Sequence, residues 1–170
     1  MREKAAKPAR IIYTTLLALA CVWLMALVAA PKLMCSGHEW SALILYRTFA
    51  LICHQRSARS FHWCGWPLAV CVRCTGIYAG ALLGLLLYPL WRCLSAPQIP
   101  ARQYLLWALV LLALDWALGA AGLFVHHAAS RLITGLIAGA VAAFYVLPAL
   151  LAALVPAWPQ KQICFDREGG

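Results

Sequence analysis

Two cysteine-containing segments carry the residues best suited to chemistry in this sequence. Cys53-His54 lies where an apolar stretch ends, and Cys71 and Cys74 follow in the segment Cys71-Val72-Arg73-Cys74. Thiolates in the first turn of a helix are stabilised by free backbone N–H groups and by the helix dipole. Counted together, Cys53, His54, Cys71 and Cys74 make a Cys3His set, whose two-residue gap is typical of paired zinc ligands. The sequence therefore predicts a site for zinc or another divalent metal.

The same cysteines fit two other interpretations. Cys71 and Cys74, with Cys53 as a shuttle cysteine, would suit a membrane thiol-disulfide oxidoreductase that exchanges electrons with a quinone or a secreted thiol partner. Structural disulfides in an oxidising compartment are the third interpretation, and they could involve Cys35 or Cys64. The sequence contains no nucleotide-binding loop, hydrolytic triad motif or haem-attachment motif. It assigns no reaction and leaves open whether the protein is an enzyme.

A second group of polar residues is expected near these cysteines, at one face of the membrane that the apolar runs described below would span. Arginines inside a membrane need a carboxylate, phosphate or carbonyl partner, and Asp115 is the one acidic residue inside a predicted span. If its span, the third at residues 100–118, ends near Gly119, Asp115 can pair with an arginine at this face. The predicted polar pocket consists of Arg59, Arg73, Tyr78, Asp115, Arg131 and Thr134. Its spare arginines could bind an anionic lipid or a small anion. A small transporter would need a longer polar path than these residues supply.

The composition of the chain is that of a membrane protein. Of its 170 residues 65% are apolar and 11% are charged, and the mean hydropathy is +0.81. These values lie outside the range of soluble domains. The net charge of +9 comes mainly from basic residues at the ends of apolar runs, and no nucleic-acid motif accompanies them. We therefore expect the lipid bilayer, and not nucleic acid, as the main partner.

Four apolar runs are long enough to cross a bilayer. Because each must satisfy its own backbone hydrogen bonds in lipid, all are expected to be helices, in one all-α polytopic membrane domain over residues 1–170. The predicted spans are 11–30, 67–91, 100–118 and 131–154. The connection 31–66 is the one long loop, and its segment 40–53 reads as an interfacial helix. A tail of residues 155–170 follows the last span.

Basic residues flank the spans unevenly. They precede the first span, border the link between the second and third, and follow the fourth: Arg2, Lys4, Lys7, Arg10, Arg92, Arg102, Lys161 and Arg167. By the positive-inside rule, both termini face the cytoplasm of a prokaryotic cell, in its cytoplasmic (inner) membrane. The cysteine cluster then lies at the extracytoplasmic face. The four spans are also compatible with a homo-oligomer.

A short repeat links the second and fourth spans. Residues 75–81 (TGIYAGA) match residues 134–140 (TGLIAGA), and both copies begin at the same membrane face. Small residues every fourth position let helices approach closely in lipid, which predicts packing surfaces formed by Gly76, Gly80, Gly84, Gly135 and Gly139. A pseudo-twofold axis along the membrane normal could relate the two helix hairpins. On a helical wheel, Cys71, Cys74 and Tyr78 lie opposite Arg73 and the glycines.

These motifs together resemble a family of predicted prokaryotic multi-pass membrane proteins known only as a domain of unknown function. The matching segments are Cys53-His54-Gln55, Arg59-Ser60-Phe61 and the run PLAVCVRCTGIYAG from Pro67 to Gly80. Asp115 in the third span and Arg131, Thr134 and Gly135 in the fourth continue the resemblance. It implies membership of that family and no particular activity.

Overall fold

The structure is a computed structural model that describes residues 2–92, 94, 99–122 and 127–155, with side chains from Lys7 onward. Its helices are α1 (Arg2–Cys35), α2 (Glu39–Ala50), α3 (Val72–Trp91), α4 (Arg102–Ala120) and α5 (Ala128–Leu154). Between α2 and α3 lie a 3₁₀ turn (Ser57–Arg59) and the two short antiparallel strands β1 (His62–Trp63) and β2 (Trp66–Pro67). Within these described residues, four helices are long and apolar enough to span a membrane: α1 from Lys7 onward, α3, α4 and α5. The predicted all-α membrane class is confirmed.

Some helix boundaries differ from the predicted spans. α1 extends beyond 11–30 on both sides and contains Pro8 and Pro31. The second span begins at Val72 instead of position 67, because Pro67 pairs with His62 in the small hairpin and the chain stays non-helical up to Cys71. The interfacial helix ends at Ala50, before Cys53. α5 starts at Ala128. Of the predicted tail, residues 156–170 lie outside the described residues.

α3 and α5 run parallel and touch along their glycines. A Cβ atom built on Gly76 would lie 3.2 Å from the Cα atom of Gly135, and one built on Gly135 would lie 3.2 Å from the Cα atom of Gly76. Farther along the same pair of helices, a Cβ atom on Gly84 would lie 2.8 Å from the Cβ atom of Ala143. The contacts are reciprocal, as expected if a local pseudo-twofold axis relates the two helices. They give the glycines the close-packing role that the sequence predicts.

α1 runs antiparallel to α3, and α4 packs against α5. Near the start of α1, the Tyr13 hydroxyl donates a hydrogen bond to the Leu85 carbonyl at 3.1 Å. Farther along α1, the Trp23 ring packs edge-on against Tyr78 with centroids 5.9 Å apart. The end of α1, the starts of α3 and α5, and residues 36–71 therefore lie at one end of the bundle, which we call the loop end.

The loop end has a core of its own. Phe49 of α2 is 1% exposed and packs its ring on Trp23, with centroids 5.0 Å apart. The Tyr46 hydroxyl donates to the Pro67 carbonyl at 2.5 Å. The Gln55 amide donates to the carbonyls of Tyr46 and Ala69, both at 2.7 Å. These bonds tie α2 to the segment before α3, and α2 packs against the end of α1.

Candidate functional site

Three cysteine side chains meet where α3 begins. Cys53 follows α2, Cys71 is the N-cap residue of α3, and Cys74 lies in its first turn. Their sulfur atoms all lie within 4.8 Å of one another, and those of Cys71 and Cys74 are 3.5 Å apart. The Cys71 backbone N–H donates to the Cys53 sulfur at 3.2 Å. Cys53 is buried, whereas Cys71 and Cys74 are half-buried. We call these three residues the thiol triad.

The surroundings of Cys71 favour its thiolate. The hydrogen bond from the Cys74 side chain lowers the pKa of Cys71 to about 5, and the backbone N–H groups of Cys74 and Arg73 and the Cys53 thiol act in the same direction. Burial opposes this effect but is smaller than the hydrogen bond from Cys74. The causes are those expected of a sulfur at a helix N-terminus, where unpaired N–H groups point toward the ligand. The arrangement of the triad thus favours the thiolate form of Cys71.

The spacing of the triad fits a metal ion. With Zn–S bonds of about 2.3 Å and tetrahedral angles, two sulfurs on one zinc ion lie about 3.8 Å apart. The sulfurs of the triad need only small movements to reach this spacing. His54, the fourth predicted ligand, has an exposed side chain and does not belong to the group. The structure therefore brings together three of the four predicted ligands.

A charged group lies on the opposite face of α3. Arg73 forms an ion pair with Asp115 of α4, and their side chains are 20% and 9% exposed. The Thr134 hydroxyl of α5 lies 3.4 Å from the same carboxylate oxygen. α4 ends at Ala120, close to the position that the ion-pair prediction required. Arg131 of α5 has Arg59, Arg73 and Asp115 as charged neighbours, so cationic side chains from the loop and two helices converge here.

Tyr78 lies apart from this charged group. Its ring packs on Trp23 and against the buried cluster that includes Cys53. The predicted polar pocket thus divides into the arginines with Asp115 and Thr134 on one face of α3, and Tyr78 with the triad on the other. His127 is the N-cap residue of α5 and is exposed.

Two residues of the site have a role that sequence reasoning missed. Gln55 and Tyr46 hold the segment from Pro67 to Ala69 in place by the hydrogen bonds described above, and this segment leads directly into Cys71. Gln55 adopts a positive φ of 46°, which turns the chain immediately after Cys53. The sequence signal for the role of Gln55 was its position directly after Cys53-His54 in the characteristic segment. The sequence contains no comparable signal for Tyr46.

Comparison with known proteins identifies the family. Residues 53–145 match the sequence model of a family described as "Predicted membrane protein (DUF2085)". The chain belongs to this family. It is also 42% identical, over 110 residues, to the uncharacterized protein MJ1492 of Methanocaldococcus jannaschii, an alignment that covers 65% of this chain and 70% of that protein. No solved structure matches. The family match includes the whole thiol triad and the charged group, which confirms the resemblance stated from the motifs.

Proposed function

We propose that this protein holds a divalent metal ion, zinc above all, on the thiol triad at the extracytoplasmic face of a prokaryotic cytoplasmic membrane. The observation that carries the proposal is the convergence of the Cys53, Cys71 and Cys74 sulfurs within 4.8 Å of one another. Soft thiolate ligands select zinc among the divalent metals that are not redox-active. Three protein ligands leave a fourth coordination position for water or for an exogenous ligand, as in catalytic zinc sites.

Charge supports the same proposal. Three thiolates around a dication carry a net charge of −1, which must be balanced in a half-buried site. The backbone N–H group of Cys71 already donates to Cys53, and Arg131, although it belongs to the charged group on the other face of α3, interacts electrostatically with Cys71. Cationic and N–H donor groups outside the first ligands commonly stabilise such sites.

The arginines also point to an anion as a ligand. Within the part of the chain that the structure describes, Arg131 has two arginines, Arg59 and Arg73, and one carboxylate, that of Asp115, as charged neighbours, and Arg73 is paired with Asp115. Guanidinium groups match phosphate and carboxylate oxygens in charge and geometry. We propose a small anion or the headgroup of an anionic lipid as the ligand of Arg59 and Arg131.

The orientation proposed here has both termini in the cytoplasm, because basic residues precede α1 and flank the link from α3 to α4. It places the loop end outside. Reporter fusions test it: a fluorescent protein that matures only in the cytoplasm should be active at either terminus, and a periplasmic alkaline phosphatase inserted after Gly37 should be active. The opposite pattern would refute the orientation.

Metal analysis of detergent-purified protein tests the metal site. Wild type should contain about one zinc ion per chain, and the Cys71→Ser/Cys74→Ser variant should lose it because two of three ligands are gone. The matched control is Cys35→Ser/Cys64→Ser, which removes the same number of thiols outside the triad and should keep the metal. Wild-type protein that contains no metal and takes up none from added zinc would contradict the proposal.

The second candidate function is thiol-disulfide exchange. The observation that favours it is the 3.5 Å separation of the Cys71 and Cys74 sulfurs at the start of α3. In this scheme a quinone would accept two electrons and two protons from the two thiols, which would become a disulfide while the quinone becomes a quinol. The test is thiol counting on metal-free protein. A Cys71–Cys74 disulfide that reductant opens and quinone restores would support this function over the metal site.

A further inference from the structure

Two further cysteines lie at the loop end, outside the thiol triad. Cys35 ends α1, and Cys64 lies in the turn of the small hairpin, whose two strands both contact α1. Both side chains are exposed. We propose that Cys35 and Cys64 form a disulfide bond that fastens the β1–β2 hairpin to the end of α1. The pair lies outside the thiol triad. The proposal rests on the extracytoplasmic orientation given above and not on the metal.

The contact between α1 and the hairpin is made by more than the two thiols. Lys32 Nζ lies 5.1 Å from the centroid of the Trp63 ring, within the range of a cation–π interaction. Lys32 and Cys35 are three residues apart, so they lie on the same face of α1. Trp63 directly precedes Cys64. The last turn of α1 and the hairpin therefore meet at Lys32 and Trp63, and Cys35 and Cys64 lie one turn and one residue away from this contact.

The backbone at Cys64 gives an independent reason. Trp63 pairs with Trp66, which leaves Cys64 and Gly65 as a two-residue turn with φ values of 50° and 81°. Such turns favour Asn-Gly or Asp-Gly, since residues with a Cβ atom other than Asn and Asp rarely adopt positive φ. A cysteine at the first position is unfavourable for the backbone alone. A cysteine at this position is explained if its thiol takes part in a bond.

The chemistry requires an oxidant, which we take to be an organic disulfide such as that of an extracytoplasmic dithiol oxidoreductase. The thiolate of one cysteine attacks this disulfide, forms a mixed disulfide and releases one thiol. The second cysteine then attacks the mixed disulfide, closes the Cys35–Cys64 bond and releases the other thiol. Two protein thiols are oxidised, and one organic disulfide is reduced to two thiols. Exposure of both side chains makes them accessible to such a reagent.

The disulfide would close the part of the chain that covers the thiol triad. Residues 36–63 contain α2, which packs against α1, and Cys53, which belongs to the triad. β2 leads through the buried residues 68–70 to Cys71. The bond would therefore hold both approaches to the triad against α1, and its reduction would loosen them. This consequence, unlike the pair itself, rests on the metal proposal: zinc on the triad should be retained without the disulfide but should exchange faster in the reduced protein than in the oxidised one.

Peptide mapping without reductant tests the pair. Protein extracted from membranes in the presence of N-ethylmaleimide should yield the Cys35–Cys64 linked peptide as the main form of these two cysteines. Reduced, zinc-loaded protein in detergent should regain the linkage after incubation with oxidised glutathione. The Cys71→Ser/Cys74→Ser variant should form it equally well, which separates this bond from the proposed metal site. Cys35→Ser should abolish it and leave Cys64 open to maleimide.

Three results would decide against parts of the inference. Both cysteines recovered with maleimide attached, before and after treatment with oxidised glutathione, would overturn the pair. A disulfide between Cys64 and Cys53 instead would overturn it as well. A Cys35–Cys64 linkage that forms with oxidised glutathione but is absent from cells would support the pair and count against the extracytoplasmic orientation, while leaving the metal proposal unaffected.

Discussion

The contact between α3 and α5 predicts a destabilising effect for a substitution that normally stabilises helices. We consider Gly139→Ala. A Cβ atom at position 139 would lie 2.8 Å from the carbonyl carbon of Ile77 and 2.9 Å from the backbone nitrogen of Ala81, and closer still to the Ile77 carbonyl oxygen. Carbon atoms in contact normally lie about 3.5–4.0 Å apart. The two helices must therefore separate by roughly an ångström before the methyl group fits, because backbone atoms cannot turn aside.

Two opposing contributions determine how much Gly139→Ala changes the free energy of unfolding. Alanine is favoured over glycine in a helix interior by about 1 kcal/mol. Forcing an extra carbon into a close-packed contact typically costs about 1–3 kcal/mol, and a rigid backbone obstacle places this case at the upper end. We expect a net loss of about 1–2 kcal/mol in the free energy of unfolding. Gly80→Ala should behave alike, since a Cβ atom there would lie 2.8 Å from the carbonyl carbon and from the Cα atom of Leu136.

The assay is reversible unfolding in mixed micelles of a mild detergent and dodecyl sulfate, followed by far-UV circular dichroism. The matched control is Val146→Ile, which adds one carbon to α5 on a side chain that is 53% exposed. It should leave the unfolding free energy within about 0.5 kcal/mol of wild type. If Gly139→Ala and Gly80→Ala were instead more stable than wild type by about 1 kcal/mol, helix propensity alone would be acting and the close α3–α5 contact would be refuted.

Three further predictions concern the loop end. Asp115→Asn should lower the free energy of unfolding by about 1–3 kcal/mol. This is less than the ~3–5 kcal/mol expected when one partner of a fully buried ion pair is removed, because Arg73 is partly exposed. The control Glu39→Gln should have no measurable effect, and equal effects of the two substitutions would contradict the ion pair. His54→Ala should keep the metal, as its exposed side chain lies outside the triad; loss of metal would make His54 a ligand. In chelator-treated protein, the rate of alkylation of Cys71 by iodoacetamide should be half-maximal near pH 5, because the lowered pKa leaves Cys71 deprotonated above that pH. A midpoint near pH 8.5, the value of an ordinary cysteine, would disprove the lowered pKa.

Local sequence patterns were sufficient for the architecture. The four spans follow from hydropathy, since each helix must satisfy its backbone in lipid independently of the others. The separation of the glycine face from the cysteine face of α3 follows from the helical period, and the structure confirms it: Gly76 faces α5, while Tyr78 packs on α1. The repeat in α3 and α5 likewise indicated which helices pack together. The metal, its identity and the orientation stay predictions for the experiments above.

The contacts between residues distant in the chain could be established only from the tertiary structure. Whether Asp115 meets Arg73 or Arg131 is set by how α4 packs, and the ion pair forms with Arg73. His54 is exposed and lies outside the thiol triad, and the chain after it is held by Gln55, which has a positive φ and donates hydrogen bonds to the carbonyls of Tyr46 and Ala69. The two-residue strands were too short to show a periodic pattern. Periodicity describes only the environment of a single helix, so the pairing of groups between elements could be established only from the tertiary structure.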